Sequence, residues 1–281
     1  MKHIYLNLKR FDIPAEYGGV NHISDIHTYG KAVVESVEEG LKQYAPEEAD
    51  FTVFFQEAHL LSALAARSAD SPLQIGAQSA DRGDTAVGGN FGAFTSRRPA
   101  SALAAMGCEA VMIGHCEERN EKRALLEAAG VSDETAASVI NAALNDEILQ
   151  ALNRGLKVLY CIGERSEETE RWQSVLQEQI ETGLKGADRS RVVIAYEPVW
   201  SIGPGKTPAD KAYIEKIARF IQSLDPQLEV VYGGGLKAEN AAMLASIPEI
   251  SGGLIALTRF SGEIGFYPEE YLEIIRLYLG K

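Results

Sequence analysis

Between residues 3 and 257, the 281-residue chain keeps returning to one unit: a short apolar run followed by a stretch with helical spacing. The runs occupy residues 3–8, 50–55, 73–78, 110–113, 157–162, 192–196, 229–232 and 253–257. They are apolar at successive positions, which is the pattern of a strand covered on both faces and therefore of a parallel sheet. Residues 25–43 place Val33, Val34, Val37 and Leu41 on one helical face, and shorter helices are expected over 60–67 and 100–106. Residues 138–154 repeat the pattern with Ile140, Leu144, Ile148 and Leu152 and stop at Gly155. Pro208 opens another helix, with Ile214, Ile217 and Ile221 on one side. No linker, low-complexity tract or charge block interrupts the series. An α/β chain folded as a single domain over residues 1–281, closed into a (β/α)8 barrel, is the expectation.

Two segments exceed what such a barrel needs. Residues 79–94 are rich in Gly, Asp and Ser, and residues 120–133 precede the helix at 138. Both belong outside the strands, where a barrel tolerates insertions. The net charge of −13 opposes a phosphate backbone, so no nucleic acid partner is expected. A small anionic ligand is a different matter, because it answers to the local field of a pocket. Cys108, Cys116 and Cys161 form no CxxC pair, so neither a disulfide nor a zinc site is expected. Met1-Lys2-His3 leads directly into the first strand, too early for a signal peptide, and no apolar run reaches membrane-spanning length. These features predict a reduced, cytoplasmic protein.

The densest chemical signal lies at residues 195–208. The strand 192–196 ends on Glu197, which puts a carboxylate at its C-terminal tip. Pro198 and Pro204 stiffen the loop that follows, while Gly203 and Gly205 permit close backbone approaches. A rigid carboxylate followed by a stiff-hinged, glycine-tipped loop suits a base beneath a closing lid.

Glu197-Pro198-Val199-Trp200, followed by Ile202-Gly203-Pro204-Gly205-Lys206-Thr207, resembles the catalytic-base and lid segment of triosephosphate isomerases. The C-terminal strand ends of a barrel face a common site, and the other ends extend the resemblance. Asn7 and Lys9 match the family's Asn-x-Lys, and Lys9 presents a fixed cation. Gly114-His115-Cys116-Glu117-Glu118-Arg119 is similar to the family's Gly-His-Ser-Glu-Arg-Arg. His115 stands at a helix start, where a neutral imidazole is favoured. The resemblance implies that Glu117 pairs with Lys9, and it leaves Glu118, which replaces an arginine, without its usual partner. Cys161-Ile162-Gly163-Glu164 matches a structural signature, and Tyr232 resembles the residue that latches the closed lid.

The phosphate end departs from the pattern. Gly233, Gly234 and Gly235 offer unhindered N–H groups able to wrap a phosphate, with Gly235 where the family has serine. Ala256 and Leu257 replace the family's paired glycines, and Arg259 is a candidate guanidinium clamp for the phosphate.

The resemblance therefore implies an aldose–ketose isomerase acting through an enediolate on dihydroxyacetone phosphate and glyceraldehyde 3-phosphate, with no cofactor or metal. Glu197 is the expected base, His115 and Lys9 the stabilisers of the enediolate oxygens, Asn7 a positioning residue and Glu117 a support. Gly203, Gly234, Gly235, Ala256, Leu257 and Arg259 are the expected substrate and phosphate contacts. The altered phosphate end leaves a four-carbon ketose phosphate open as substrate. A non-catalytic sugar-phosphate sensor would have no need of a base opposite an electrophile. Gly92-Ala93-Phe94-Thr95 matches the end of the loop through which the family pairs, which implies a homodimer.

Overall fold

Alternate side chains of the first strand, Lys2–Asn7 (β1), enter two different apolar regions. Ile4 and Leu6 join the large layer beneath the helices, whereas Tyr5 belongs to a smaller cluster with Phe54, Met112, Leu159, Cys161, Val231 and Leu254. A strand with apolar surroundings on both sides needs no polar face, hence the unbroken apolar runs in the sequence.

The computed structural model describes residues 1–202 and 206–281. After β1 come Ala49–Phe55 (β2), Leu73–Ala77 (β3), Ala110–Ile113 (β4), Lys157–Ile162 (β5), Val192–Tyr196 (β6), Glu229–Tyr232 (β7) and Gly252–Ile255 (β8). Each strand pairs in parallel with the next, and β8 returns to β1 over His3↔Gly252 to Leu6↔Ile255. The expected (β/α)8 barrel is the fold, and β4 to β7 begin and end at the expected residues. The last strand stops two residues short of the expected 257. There the chain leaves the sheet for a hairpin, in which the N–H groups of Thr258 and Arg259 both donate to Gly265 O at 3.1 Å.

The helices are Tyr29–Leu41 (α1), Glu57–Ala66 (α2), Ala100–Met106 (α3), Cys116–Ala128 (α4), Asp133–Asn153 (α5), Trp172–Gly183 (α6), Lys211–Leu224 (α7), Ala241–Ala245 (α8) and Pro268–Leu279 (α9). The helix expected over 60–67 starts earlier, at Glu57, and the one expected from Pro208 starts at Lys211, because Asp210 caps it by accepting the Tyr213 N–H at 2.8 Å. Two others differ further, for identifiable reasons. The helix expected from residue 25 starts at Tyr29, because Asp25 Oδ1 accepts the His27 N–H and holds a turn before it. Most of the unassigned segment 120–133 is α4, which buries none of its residues and so carries no apolar period to read. The Ser132 hydroxyl then caps α5 by accepting the Thr135 N–H, so the helix begins at Asp133, five residues before the periodic pattern at 138.

Residues 79–94 lie outside the strands, as expected, with turns over 87–92, and are anchored by the Asp84–Arg154 ion pair. At the N-terminal end of the barrel His3 bridges two strands, with Nδ1 2.8 Å from Asp50 Oδ1 and Nε2 2.9 Å from Glu229 Oε2. No helix among the described residues is long and apolar enough to cross a membrane.

Candidate active site

Glu197, the residue after β6, is held from both sides. Its N–H donates to Ile162 O at 2.8 Å, and the Gly233 N–H donates to Tyr196 O at 2.7 Å. A Cβ on Gly163 would stand 1.7 Å from Glu197 O, and one on Gly233 would stand 2.8 Å from Glu197 Cγ. The backbones of β5 and β7 thus close on this carboxylate as only glycine allows.

The carboxylate is buried. Its Oε2 accepts the Cys116 N–H at 2.9 Å. Its Oε1 comes within 3.3 Å of His115 Nε2, but not in hydrogen-bond alignment, so this oxygen has no donor. Burial pushes Glu197 above the ordinary carboxylate range, and His115, the Cys116 N–H and Lys9 pull the other way without cancelling it.

His115 is the N-cap of α4, where its Nδ1 accepts the Glu117 N–H at 3.3 Å. With that lone pair engaged, the neutral ring carries its proton on Nε2, the nitrogen facing Glu197. Burial and the nearby Glu197 charge push the Cys116 thiol up to about 12. His115, Cys116 and Glu197 bring donor atoms within 4.8 Å of one another, so they could enclose a metal ion. The hydrogen bonds just described account for their arrangement, and a thiol so hard to ionise is a poor ligand.

Lys9 Nζ pairs with Glu117 Oε1 at 2.6 Å, as expected. Lys9 itself has φ of +39°, in the left-handed region that a side chain resists. Two hydrogen bonds hold it there: its N–H donates to Asn7 Oδ1 at 2.9 Å, and its carbonyl accepts Gln78 Nε2 at 3.0 Å. Asn7, Lys9, Gln78, Met112, His115 and Glu117 line a cleft of about 340 Å³. Gln78 is a member that sequence reasoning missed, since its partner lies 69 residues away and an amide at a strand end carries no signal of its own.

The partner of Glu118 is now evident. Its Oε2 accepts the Gly114 N–H at 2.7 Å, immediately before His115. Lys122 Nζ lies 2.5 Å from Glu118 Oε1 and 3.1 Å from Glu147 Oε1, so one ammonium serves two carboxylates. Although burial opposes it, Lys122 holds Glu118 below the usual carboxylate range. Burial and the Glu118 charge push Glu147 up, so Glu147 is the one that keeps its proton.

Glu164, read from the sequence as architecture, is fully buried and collects three donors on Oε1: Tyr196 Oη at 2.9 Å, Trp200 Nε1 at 2.7 Å and Tyr213 Oη at 3.0 Å. Trp200 lies in the short 3-10 turn Val199–Ser201, which leads into the lid segment. Gly203 and the Gly205 tip fall outside the described residues.

At the phosphate end, Gly234 and Gly235 follow β7, and Gly235 has φ of +99°, where a serine would be strained. Ala256 and Leu257 are half-buried just past β8. Arg259, the expected clamp, has other partners in this structure. Its Nε donates to Glu270 Oε1 at 2.8 Å and its guanidinium stacks 3.5 Å from the centre of the Tyr267 ring, which commits the cation elsewhere.

A family profile described as Triosephosphate isomerase matches residues 25–276. The triosephosphate isomerase of Pelodictyon phaeoclathratiforme is 40% identical over 178 residues, 59% of this chain and 64% of that protein. That of Chlorobium chlorochromatii is 35% identical over 204 residues, 68% of this chain and 72% of that protein. The matched stretch thus spans under two thirds of the first relative's length. A crystal structure of triosephosphate isomerase from Bartonella henselae superposes with a TM-score of 0.71, covering 99% of this chain and 98% of that one at 22% identity.

Proposed function

The chain belongs to the triosephosphate isomerase family, and from that premise we propose that it interconverts dihydroxyacetone phosphate and glyceraldehyde 3-phosphate. One observation carries the reading: a buried carboxylate oxygen without a donor, Glu197 Oε1, faces the Nε2 of an imidazole whose other nitrogen is engaged. In this reading Glu197 removes the proton from the carbon beside the carbonyl, and its raised pKa makes it a stronger acceptor than an exposed carboxylate. His115 Nε2–H donates to the carbonyl oxygen as charge develops on it. Lys9, steadied by Glu117, stabilises the enediolate. Asn7 fixes Lys9 and thereby the substrate oxygens. The proton returns from Glu197 to the adjacent carbon, while His115 gives its Nε2 proton to one enediolate oxygen and takes one from the other, so carbon and oxygen protons both balance without a cofactor. Closure of the lid that Glu164 anchors through Trp200 would keep water from the enediolate.

The altered end at Gly235, Ala256 and Leu257 favours a second substrate, a four-carbon ketose phosphate handled by the same groups. The proposal extends to one catalytic domain, a role in the glycolytic direction, a cytoplasmic setting and a homodimer paired through residues 79–94, where Val87 and Phe91 stand exposed. A coupled assay over a panel of three- and four-carbon sugar phosphates tests the reaction. Absence of turnover on every member would reject it in favour of a binding protein.

A further inference from the structure

The two loops that should hold the substrate's phosphate have lost a serine hydroxyl and two glycines, and Arg259 is engaged with Glu270. One cation nevertheless stands between these loops. Lys237 belongs to the turn after β7, and the Asn240 side chain fixes that turn twice: Oδ1 accepts the Lys237 N–H at 2.8 Å, and Nδ2 donates to Gly235 O at 2.9 Å. Leu236 N–H, donating to Leu254 O at 2.9 Å, ties the same turn to β8. The half-buried Lys237 side chain folds back across Gly235. A Cβ built on Gly235 would meet Lys237 Cε at 3.5 Å, so the lysine stem fills the space beside that glycine. Its ammonium lies 3.8 Å from the centre of the Phe260 ring, in the hairpin that follows Ala256 and Leu257. Among the described residues, no carboxylate lies within salt-bridge distance of Lys237, so an aromatic face is its electrostatic partner.

A lysine held on a fixed turn, packed against a glycine of one phosphate loop and steadied by a ring from the other, is placed to meet an anion there. We propose that Lys237 is a charged ligand of the substrate's phosphate group, with Phe260 as its positioning residue. The loss of the serine hydroxyl, and the crowding of the N–H groups of 256 and 257 by side chains, is thereby offset by a point charge, which tolerates a shift in phosphate position better than directed N–H groups do. This inference rests on the proposed reaction only for taking the anion to be a sugar phosphate.

The test uses the full chain and inorganic phosphate as probe, with binding followed by phosphorus NMR. Lys237→Met keeps an apolar stem beside Gly235 and removes the charge. It should weaken phosphate binding about tenfold and raise KM for triose phosphate by a similar factor, with kcat changed less than about threefold. Lys237→Arg should restore most of the affinity. Unchanged phosphate affinity in Lys237→Met would overturn the proposal, as would a loss that appears in Arg259→Met instead. If the wild type binds phosphate in a Lys237-dependent way but turns over no sugar phosphate, the ligand assignment stands and the proposed reaction falls.

Discussion

Glu197 has one oxygen held by the Cys116 N–H and one left without a donor in a buried site. That division assigns separate tasks within one carboxylate, since one oxygen orients the group and the other is free to take a proton. Glu197→Gln should keep the fold and much of the affinity for substrate while losing turnover by about a thousandfold or more. A variant retaining over a tenth of the wild-type rate would place the base elsewhere. Because burial raises the pKa of Glu197, activity should fall, as pH drops, at a point above the ordinary value of 4.5. An acid limb in the pH profile of kcat/KM at or below 4.5 would contradict this. At this scale the sequence was most readable where residue type alone implies chemistry: Asn7, Lys9, His115 and Glu197 all stand at strand ends. Gln78 and Lys237 were not read, and Glu164 was read only as architecture, because each acts through a partner that only folding brings near. The Glu270 partner of Arg259 went unread for the same reason, since it lies 11 residues ahead, on a helix.

Among the elements, α4 departs furthest from expectation. It has no apolar face, so tertiary contacts must hold it, and Glu118, Lys122 and Glu147 supply one such knot with α5. Glu147 in the folded chain is raised from 4.5 to about 9, so the native state holds a proton that the unfolded chain releases. The sign follows: its contribution to stability is complete below about 4.5 and is lost as pH rises through about 9. Wild-type stability should therefore decline across that window by up to roughly 1 kcal/mol per pH unit. Glu147→Gln should flatten the decline. Equal slopes in urea titrations of the two proteins across the window would show that Glu147 is not the group responsible. The strands were legible because continuous apolar runs of this length have one use in a parallel sheet. The end of β8 was not, because Ala256 and Leu257 prolong the apolar run while the hairpin bonds to Gly265 take the chain out of the ladder.

For the whole molecule, the open question is what covers residues 79–94. Val87 and Phe91 are exposed there, and the cleft beside Lys9 and Glu117 is open to solvent. Apolar groups at a loop tip and a cleft of this kind suit an exchange of loops between two copies across a two-fold axis. Light scattering should give twice the chain mass at micromolar concentration, and Phe91→Asp should shift the species toward monomer. An active wild-type monomer would reject the exchange. The bridge at the other end of the barrel has a different kind of consequence. His3 is made well before its far partner: its ring joins Asp50 to Glu229, which lies 226 positions downstream. One edge of β1 likewise waits for residues 252–255. Of the barrel's strands, β1 is made before the others and is among the last to be completed, and until β8 arrives the growing sheet has two raw edges that any other chain could pair with. Closure waits for β8, and a chain cut short before Gly252 is left with an adhesive sheet rather than a smaller barrel.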